Sequence, residues 1–504
     1  MTKAAVAAGH ANTAEAARIA LQAGGNAFDA AVAATLAACV AEPVLASLGG
    51  GGYLLARTES GTESVYDFFV QTPSTNRPDC DFYPITADFG TAKQVFHIGY
   101  GSAAVPGLVR GLFQIHKDLC RLPLAILAEP AIRYARDGIT IDTFQAYVMD
   151  VIRPILLVDT STGLFSRRPG EIVKQRDTLR NSPFADFLQT LIKEGSELFY
   201  HGEVATSVAN MCREHNGLLI GKDFRDYRVI RRTPLHSTYR EHRLLTNPPP
   251  SSGGVLIAFA LKLLQQSGLN LAALDDTDYT DYFCRTLGKL LELRHAQDIR
   301  DASQLFDNAI LQQFALRVDD RHTVTRGTTH ISIIDQDNNV ASLSLSNGEG
   351  CGHFIPRTGI MLNNMLGEQD LNPHGFHQWQ TNQRMTSMMA PTIMMAKDSI
   401  FAIGSGGSNR LRTAILQVIL QFFDFHLPLG EAIDRERVHY EDETVHLEGS
   451  RHDAVLHALS QNYRHIRQWP QRNLFFGGTH VALKQGKQLT AHGDPRRGGV
   501  GIRV

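Results

Sequence analysis

The sequence predicts an α/β protein, and three observations support this fold class. Strand-like and helix-like segments alternate along the first part of the chain. From Thr328 onward, short runs of alternating apolar and polar residues predict a region rich in β-strands. The chain has 504 residues, which is enough to bury a large core, and length alone would suggest three or four domains.

The first elements follow from apolar runs and from the residues that stop them. Residues 14–23 predict a helix that ends at Gly24 and Gly25, because glycine commonly terminates helices. Residues 27–41 predict a second, apolar helix that Pro43 ends. Two paired strands are expected over residues 53–56 and 64–68.

The middle of the chain, residues 103–235, is more charged and is predicted to be mostly helical. The expected helices cover residues 122–137, 144–157 and 182–194. Ser182 is the expected N-cap of the last of these helices, because Pro183 suits the first helical position. Another helix is expected over residues 280–294.

The last third of the chain returns to strands. Residues 331–334 alternate as a strand, and the polar run over residues 335–339 predicts the turn that ends it. Helices are expected over residues 412–425 and 453–460. Residues 466–504 are expected to form terminal strands and turns.

Gly327-Thr328-Thr329-His330 stands where the first of these later strands begins. If the chain cuts itself before Thr328, that residue gains a free α-amine beside its hydroxyl group. The unperturbed pKa of such an amine is about 8, which suits a general base at neutral pH. A threonine hydroxyl activated by its own N-terminal amine is an established nucleophile. Gly-Thr-Thr before a strand is also common in ordinary loops, so this segment does not decide the matter by itself.

Motifs elsewhere in the chain carry a family resemblance. The N-terminal motifs are Gly24-Gly25-Asn26-Ala27-Phe28-Asp29-Ala30-Ala31, Glu42-Pro43 and Gly49-Gly50-Gly51-Gly52-Tyr53. Those in the middle are Ser102-Ala103-Ala104-Val105-Pro106-Gly107 and Asn247-Pro248-Pro249-Pro250-Ser251-Ser252-Gly253-Gly254. Those after Thr328 are Gly359-Ile360-Met361-Leu362-Asn363-Asn364, Ala390-Pro391-Thr392 and Gly404-Ser405-Gly406-Gly407-Ser408. In this order the chain resembles the γ-glutamyltranspeptidase family of N-terminal-nucleophile hydrolases.

The resemblance implies a fold and a processing step. The expected fold is a four-layer αββα sandwich that forms one interlocked unit. Self-cleavage is expected to give a large subunit, residues 1–327, and a small catalytic subunit, residues 328–504, which remain together as a heterodimer of two fragments. Residues 305–326 are the expected mobile linker that the cut would free.

The resemblance also implies catalytic roles. Thr328 is the expected nucleophile of both self-cleavage and turnover, and Gly327 precedes the cut. Ser346 stands where the family has a threonine that hydrogen-bonds the nucleophile, although it also fits the polar face of an alternating strand. Gly406 and Gly407 match the glycine pair whose backbone N–H groups stabilise the oxyanion. Thr329 is as easily a strand-start residue as a second catalytic hydroxyl.

The sequence departs from the family where γ-glutamyl substrates are recognised. Phe69 falls on the arginine that grips the substrate α-carboxylate, and a phenyl ring cannot replace that bidentate contact. Glu368 falls on the aspartate that holds the substrate α-amine. A serine pair becomes Ser387 followed by Met388. Because the segment over residues 368–384 is also short, we expect a more open and more apolar pocket.

The implied activity is therefore that of a self-processing N-terminal-threonine amidohydrolase or acyltransferase. It would cleave γ-glutamyl or related amides, such as glutathione, through an acyl-enzyme on Thr328. The partners are then a small-molecule amide and either water or an amino compound. A glutaryl- or cephalosporin-type side-chain acylase is the alternative within the same fold. An inactive binding protein that retains the fold is an alternative of a different class.

Composition argues against several other functions. The net charge of −2 implies no general attraction to nucleic acid or to anionic membranes. The six cysteines form no CxxC pair, which argues against a disulfide framework or a zinc knuckle. His374 and His377 lie in a Pro- and Gly-containing loop without a third ligand, so we expect no metal and no cofactor.

The N-terminal sequence predicts a cytoplasmic protein. Met1-Thr2-Lys3 leads directly into the first element, without the basic segment and apolar core of a signal peptide. Residues 28–40 are apolar but short and interrupted by Asp29, which predicts a buried helix and not a membrane span.

Overall fold

The fold is described from a computed structural model. It describes residues 2–88, 93–159, 161, 163–168, 170–296, 327–407, 409–441 and 443–504. The predicted linker over residues 305–326 lies outside these ranges.

The strands are numbered in chain order. They are β1 (Ala4–Ala8), β2 (Gly51–Arg57), β3 (Glu63–Phe68), β4 (Tyr83–Asp88), β5 (Lys93–Ile98), β6 (Ile139–Thr140), β7 (Ser166–Arg168), β8 (Glu171–Ile172), β9 (Thr178–Leu179), β10 (Ile230–Arg232), β11 (Leu235–Tyr239), β12 (His242–Thr246), β13 (Thr329–Asp335), β14 (Val340–Ser346), β15 (Phe354–Ile355), β16 (Ile360–Met361), β17 (Thr392–Ala396), β18 (Ser399–Gly406), β19 (Val438–Glu441), β20 (Thr444–Glu448), β21 (His465–Trp469), β22 (Gly478–Gln485), β23 (Gln488–Gly493) and β24 (Val500–Arg503).

The helices are numbered in the same way. They are α1 (Ala11–Gln22), α2 (Ala27–Ala41), α3 (Leu108–Leu119), α4 (Leu124–Asp137), α5 (Thr143–Val151), α6 (Arg153–Leu156), α7 (Ser182–Glu194), α8 (Glu197–Tyr200), α9 (Glu203–Glu214), α10 (Gly221–Asp226), α11 (Ser252–Gln266), α12 (Asp276–Ala296), α13 (Asn409–Phe423), α14 (Leu429–Asp434) and α15 (Asp453–Ser460).

Two antiparallel sheets form the centre of the molecule. The first has the strand order β10-β3-β2-β14-β13-β1-β24, and the second has the order β11-β12-β17-β18-β22-β23. Strands β13 and β14 pack against β18 and β22, so the sheets lie face to face. Side chains alternate along β13: Ile331 and Ile333 join the core beneath α1 and α2, whereas Ile334 joins the core between the sheets.

A helical layer covers the outer face of each sheet. Helices α1 and α2 pack on the first sheet, and α11 and α13 pack on the second. Every residue of α2 is buried, which explains why apolar residues occupy all sides of this helix. The resulting order of layers, helix, sheet, sheet, helix, is the predicted αββα sandwich.

The expected helices over residues 14–23, 280–294 and 412–425 begin three or four residues too late, and three other details of the helix predictions were wrong. Asn181 and not Ser182 is the N-cap of α7, because the Asn181 side chain accepts the Phe184 N–H. The helix expected over residues 144–157 is divided into α5 and α6, since Pro154 fits the first turn of a helix and not its interior. The helix expected over residues 122–137 begins at Leu124, immediately after Pro123.

Two further features concern the chain as a whole. All six cysteines are free thiols, and five of them are buried. Within the described ranges, none of the helices has an apolar stretch long enough to cross a membrane.

Candidate active site

Thr328 lies immediately before β13, a central strand of the first sheet. Thr329 pairs with Leu345 of β14, and Ser346 at the end of β14 pairs with Gly51 of β2. The glycine run before β2 allows this close approach, because a Cβ atom added to Gly50 would overlap the Ser346 carbonyl oxygen. The run therefore permits close packing between β2 and β14.

The peptide bond before Thr328 is held at both sides of Gly327. Ser346 Oγ donates a hydrogen bond to the Gly327 carbonyl oxygen at 2.6 Å and accepts the Gly348 N–H at 3.0 Å. The Gly327 N–H donates to a Glu349 carboxylate oxygen at 3.1 Å. Ser346 thus contacts the carbonyl that self-cleavage would attack, a contact that the strand pattern alone did not predict.

Thr329 points away from this contact and binds a buried carboxylate. Its Oγ1 donates to Glu42 Oε2 at 2.5 Å, and Thr13 Oγ1 donates to Glu42 Oε1 at 2.7 Å. Burial raises the pKa of Glu42 to about 7, although the two hydroxyl donors oppose that rise. Thr329 therefore anchors the start of β13 to the end of α2.

A pocket on one side of Thr328, here called the nucleophile pocket, brings the predicted site residues together. It is small, with about 30 Å³ of free space, which is enough for about one water molecule. The residues lining it are Phe69, Thr328, Ser346, Met365, Glu368, Asp370, Leu371, Ser387, Met388, Met389 and Leu411. Five residues predicted from separate motifs, between positions 69 and 387, are therefore neighbours.

The pocket has apolar side chains on much of its lining, but it is not the open pocket that was expected. All of its lining residues are buried. The short segment over residues 368–384 is tied down: the Thr72 N–H donates to the Gln383 carbonyl at 2.8 Å, and Asn372 Nδ2 donates to three carbonyl groups, among them that of Glu368 at 2.7 Å. These hydrogen bonds hold the segment over the site despite its length.

Phe69 is a buried aromatic side chain that packs within the core. It is 1% exposed and stacks on Tyr53 with ring centroids 5.4 Å apart. Arg384 lies behind it, but its guanidinium group pairs with Asp67 at 3.2 Å and lies over the Tyr227 ring at 4.6 Å. Arg384 is therefore engaged in the fold and not directed at the pocket. Arg410 is likewise buried, 4.3 Å from the Phe475 ring centroid.

Ser387 shapes the pocket through the backbone. Its Oγ accepts the Met389 N–H at 3.0 Å, and its carbonyl accepts the Ser252 N–H at 2.8 Å. These bonds fix the turn that presents Met388 and Met389 to the pocket.

Glu368 and Asp370 provide the acidic groups of the pocket. Both are buried, and the lining residues named above include no Lys or Arg. These two carboxyl groups are the ones in the lining that suit a ligand carrying an amine.

Gly406 and Gly407, the two glycines predicted to stabilise the oxyanion, lie at the end of β18, just before α13. A Cβ atom added to Gly406 would overlap the Thr328 carbonyl oxygen, so only glycine fits there. Gly407 has φ of +120°, a conformation that side chains disfavour. Gly406 thus touches the backbone of Thr328, while Gly407 lies beside the Arg497 guanidinium group.

Sequence reasoning missed Arg497. Its Nη1 lies 3.5 Å from the Thr328 carbonyl oxygen, and burial together with Arg410 and Arg437 lowers its pKa to about 10. The only sequence clue is its position in Asp494-Pro495-Arg496-Arg497, where Asp494 caps a short turn by accepting the Arg496 N–H.

Comparisons with known proteins agree with this geometry. The family model described as Gamma-glutamyltranspeptidase matches residues 13–504. The glutathione hydrolase proenzyme of Escherichia coli K12 is 28% identical over 462 residues, covering 84% of this chain and 78% of that protein. The acylase ACY 1 proenzyme of Pseudomonas sp. V22 is 27% identical over 464 residues, covering 87% and 83%. The cephalosporin acylase structure from Bacillus halodurans shares the fold, with a TM-score of 0.85, 22% identity and coverage of 99% and 96%.

Proposed function

The chain belongs to the γ-glutamyltranspeptidase family, and on that premise we propose that it is activated by its own cleavage before Thr328. It is an enzyme of the γ-glutamyltransferase and glutathione hydrolase type. The observation that carries the proposal is the hydrogen bond of 2.6 Å from Ser346 Oγ to the Gly327 carbonyl oxygen. A donor at that oxygen stabilises the negative charge that develops when a hydroxyl group attacks the carbonyl carbon.

Self-cleavage follows from this contact. Thr328 Oγ1 attacks the Gly327 carbonyl carbon, and the C–N bond breaks as the hydroxyl proton passes to the Thr328 nitrogen. The product is an ester between Gly327 and Thr328 Oγ1. Water then hydrolyses the ester, which leaves Gly327 with a carboxylate and Thr328 with both a free hydroxyl group and a free α-amine.

Turnover uses the same hydroxyl group on a substrate amide. The α-amine of Thr328 accepts the hydroxyl proton as Oγ1 attacks, and the N–H groups around Gly406 and Gly407 are proposed to stabilise the oxyanion. The C–N bond breaks, and the leaving amine takes its proton from the α-ammonium group. Water or an amino compound then attacks the ester, releases the acyl group and restores the hydroxyl group.

Glu368 is the proposed anchor for the donor. A γ-glutamyl group carries an α-amine, and a carboxylate in a buried pocket attracts that ammonium ion. Ser387 and Phe69 are proposed to shape the rest of the donor site. A γ-glutamyl amide of the glutathione type is therefore the first donor to test.

The first prediction concerns the cut itself. Purified protein should consist of two fragments, residues 1–327 and 328–504, on a denaturing gel and by intact mass. Thr328→Ala should remain one full-length chain, because it lacks the attacking hydroxyl group. Thr328→Ser, which keeps that group, is the matched control and should still cleave. A wild-type chain that stays intact on prolonged incubation would refute the proposal.

A side-chain acylase is the second candidate, and the apolar lining favours it. Phe69, Met388 and Met389 line the nucleophile pocket, and no Lys or Arg is among the lining residues that the structure describes. A donor carboxylate would gain no ion pair there, so its removal should cost little binding. Comparing kcat/KM for γ-glutamyl, glutaryl and 4-aminobutyryl anilides separates the two candidates. A loss above about 100-fold on removing the α-carboxylate, about 2.7 kcal/mol, would exclude the acylase.

A further inference from the structure

A wide cleft lies at the opposite end of the two central sheets from Thr328 and is here called the basic cleft. It has about 580 Å³ of free space, which is in the range of small-molecule binding sites. Along β18, Ile400 lines the cleft and Gly406 contacts Thr328, and this stretch of strand is about 20 Å long. The residues lining the cleft are Arg57, Glu241, Arg243, Asn338, Met395, Ala396, Lys397, Asp398, Ser399, Ile400, Lys484 and Gly486.

A row of four residues on the second sheet forms the floor of the basic cleft. Arg243 of β12 pairs with Met395 of β17, and Ile400 of β18 pairs with both Met395 and Lys484 of β22. Residues that lie directly opposite each other in an antiparallel sheet point to the same face. Met395 and Ile400 contact the core between the sheets, so the whole row faces the first sheet. The floor therefore has an apolar middle and a cation at each end, about 14 Å apart across three strand spacings.

The first sheet supplies the opposite wall through Arg57 of β2. Arg57 pairs with Val340, which belongs to the core between the sheets, so Arg57 faces the row across a gap of about 10 Å. Its Nη1 donates to the Asn338 carbonyl at 3.2 Å, and its Nε is buried without a hydrogen-bond partner among the described residues. Glu63, its neighbour on β3, pairs instead with Arg243 at 3.3 Å. Arg57 is thus a cation that its nearest acid does not neutralise.

Lys397 and Lys484 add two further cations that make no ion pair within the described ranges. Lys484 Nζ donates to a backbone carbonyl oxygen at 2.7 Å, and Lys397 is exposed in the turn between β17 and β18. The two acids of the lining, Glu241 and Asp398, are exposed in turns. Four cations and two acids therefore give the lining a net positive charge.

The arrangement of these cations fits a phosphate group better than a carboxylate. Arg57, Lys397 and Lys484 belong to three separate elements, so they can approach one group from different directions. A phosphate monoester offers three acceptor oxygens and nearly two negative charges at neutral pH, whereas a carboxylate is planar and carries one. Arginine binds such oxygens as a fork and lysine binds them as a point charge.

We propose that the basic cleft binds a small phosphorylated molecule that also has a nonpolar portion. Arg57, Lys397 and Lys484 hold the phosphate group, and Met395 and Ile400 contact the nonpolar portion. The site is separate from the nucleophile pocket and does not depend on the function proposed above. Both proposed fragments contribute cations to it, so a bound phosphate would also bridge the fragments.

Phenyl phosphate and phenyl sulfate test the charge that the cleft requires, because the two have similar shapes but the sulfate carries one negative charge. Binding of each to the wild-type protein is measured by calorimetry at about pH 8 in a phosphate-free buffer, where the phosphate is a dianion. Salt at about 0.15 M screens weak attraction to scattered surface charges. Phenyl phosphate should bind at least about tenfold more tightly, as expected for hydrogen bonds to charged groups. Equal affinities, or no binding of phenyl phosphate at about 10 mM, would overturn the proposal.

Two more probes test the other parts of the proposed ligand. Inorganic phosphate lacks the ring and should bind at least about threefold more weakly than phenyl phosphate, because it leaves Met395 and Ile400 uncovered. Equal affinities would overturn the nonpolar contact. Phthalate carries two carboxylates on a similar ring and should bind more weakly than phenyl phosphate. Equal or tighter binding of phthalate would overturn the choice of phosphate.

Variants place the ligand in the basic cleft. Arg57→Gln should weaken phenyl phosphate binding by at least about tenfold, and Lys397→Gln, which removes a more exposed charge, by at least about threefold. Lys487→Gln is the matched control: this lysine is exposed in the neighbouring turn between β22 and β23 but does not line the cleft, so the affinity should stay within about twofold of wild type. Unchanged affinity in both Arg57→Gln and Lys397→Gln would overturn the assignment.

Two further comparisons keep this test decisive. Thr328→Ala should bind phenyl phosphate as tightly as wild type, because the cleft is about 20 Å from that residue. A loss of binding in Thr328→Ala would place the ligand at the nucleophile and would overturn the proposal. If Arg57→Gln does not fold, Lys397→Gln changes only an exposed turn residue, and its affinity relative to Lys487→Gln decides the question.

Discussion

Three residues from two parts of the chain converge on Gly327 and Thr328. Ser346 and Glu349 hold the carbonyl and the N–H of Gly327, and Gly406 leaves room for the carbonyl of Thr328. The carbonyl at the proposed cleavage site thus already accepts a hydrogen bond from a hydroxyl group. The catalytic roles proposed for these residues follow from this arrangement, because positioning and oxyanion stabilisation need no movement at the moment of reaction.

The second prediction concerns the effect of Ser346 on self-cleavage. Ser346→Ala removes the donor to the Gly327 carbonyl, so the attacking Thr328 would lose stabilisation of the oxyanion. Self-cleavage should slow by at least about 100-fold, a typical cost of deleting one oxyanion donor. The measurement is the decay of full-length chain on a denaturing gel after purification at low temperature.

Two controls sharpen this experiment. Ser346→Thr keeps the hydroxyl group and should cleave far faster than the alanine variant. Ser344→Ala removes a hydroxyl group two residues earlier on the same strand, where it contacts His330 at 2.9 Å and not Gly327. Ser344→Ala should cleave at a rate near that of wild type, and an equal loss in both alanine variants would contradict the role assigned to Ser346.

The third prediction concerns the contribution of Glu42 to the free energy of unfolding. Its pKa is raised from 4.5 to about 7 in the folded protein, mainly by burial. The neutral acid is therefore favoured by folding, and its contribution is fully present below pH 4.5 and is lost as the pH rises through about 7. The shift corresponds to a contribution on the order of 3 kcal/mol.

Glu42→Gln isolates that contribution because it keeps a carbonyl acceptor but cannot ionise. Both chains should carry Thr328→Ala, so that each unfolds as one polypeptide. The free energy of unfolding of each protein is measured by urea denaturation at pH 4.5 and at pH 8. The value for the glutamine variant minus that for its parent should be larger at pH 8 than at pH 4.5. A difference that does not change with pH would mean that Glu42 stays ionised in the folded state.

The resemblance predicted which side chains would meet, but not their hydrogen bonds. Phe69, Glu368 and Ser387 line one pocket with Thr328, as expected from motifs far apart in sequence. Arg497 could not be found in this way, because a basic pair in a polar turn looks the same whether or not it is buried. Its contact with the Thr328 carbonyl oxygen joins residues 169 positions apart, so the local sequence does not reveal it.

At the scale of elements, the site depends on the connection between β18 and α13. Gly406 ends the strand, Gly407 follows with φ of +120°, and the helix begins at Asn409. The Arg410 N–H donates to the Gly407 carbonyl at 3.1 Å, which fixes this turn. The glycine pair therefore combines a tight turn with close approach to Thr328.

The fourth prediction concerns the effect of Gly406 on catalysis. Gly406→Ala should lower kcat by at least about 100-fold, because the new Cβ atom would push the Thr328 backbone away from the oxyanion donors. Gly430→Ala is the matched control: this glycine lies in α14, and a Cβ atom there would be 3.4 Å from the nearest atom, His492. That variant should keep its activity. Comparable losses in both variants would point to general destabilisation.

Element boundaries were predictable where one residue decides them. The bounds of α2 and α15 match the expected ranges, and the Asn26 side chain caps the start of α2. The division between α5 and α6 shows the limit of periodicity: the apolar pattern continues through residues 144–157, but Pro154 cannot lie in the interior of a helix. The cap of α7 was misplaced by one residue, because Asn181 and Ser182 are both good caps and only the side-chain contact separates them.

At the scale of the whole molecule, the proposed fragments are interleaved. In the first sheet, β14 and β13 from residues 328–504 lie between β2 and β1 from residues 1–327, and β24 pairs with the far edge of β1. The second sheet joins β12 of the large fragment to β17 of the small one. Sequence patterns predicted some of these strands, among them β2, β3 and β13, but not their order, because pairing is decided by contacts between residues hundreds of positions apart.

The last prediction follows from that interleaving. Separating the fragments would break the β2–β14, β13–β1, β1–β24 and β12–β17 pairings and would expose the core beneath α1 and α2. The cleaved protein should therefore elute as one species in gel filtration and unfold in one transition by both near-ultraviolet and far-ultraviolet circular dichroism. Thr328→Ala, with its single chain, is the control, and its native elution volume should match. Fragments that separate without denaturant would contradict the shared core, because each fragment alone would leave strand edges and apolar surface in water.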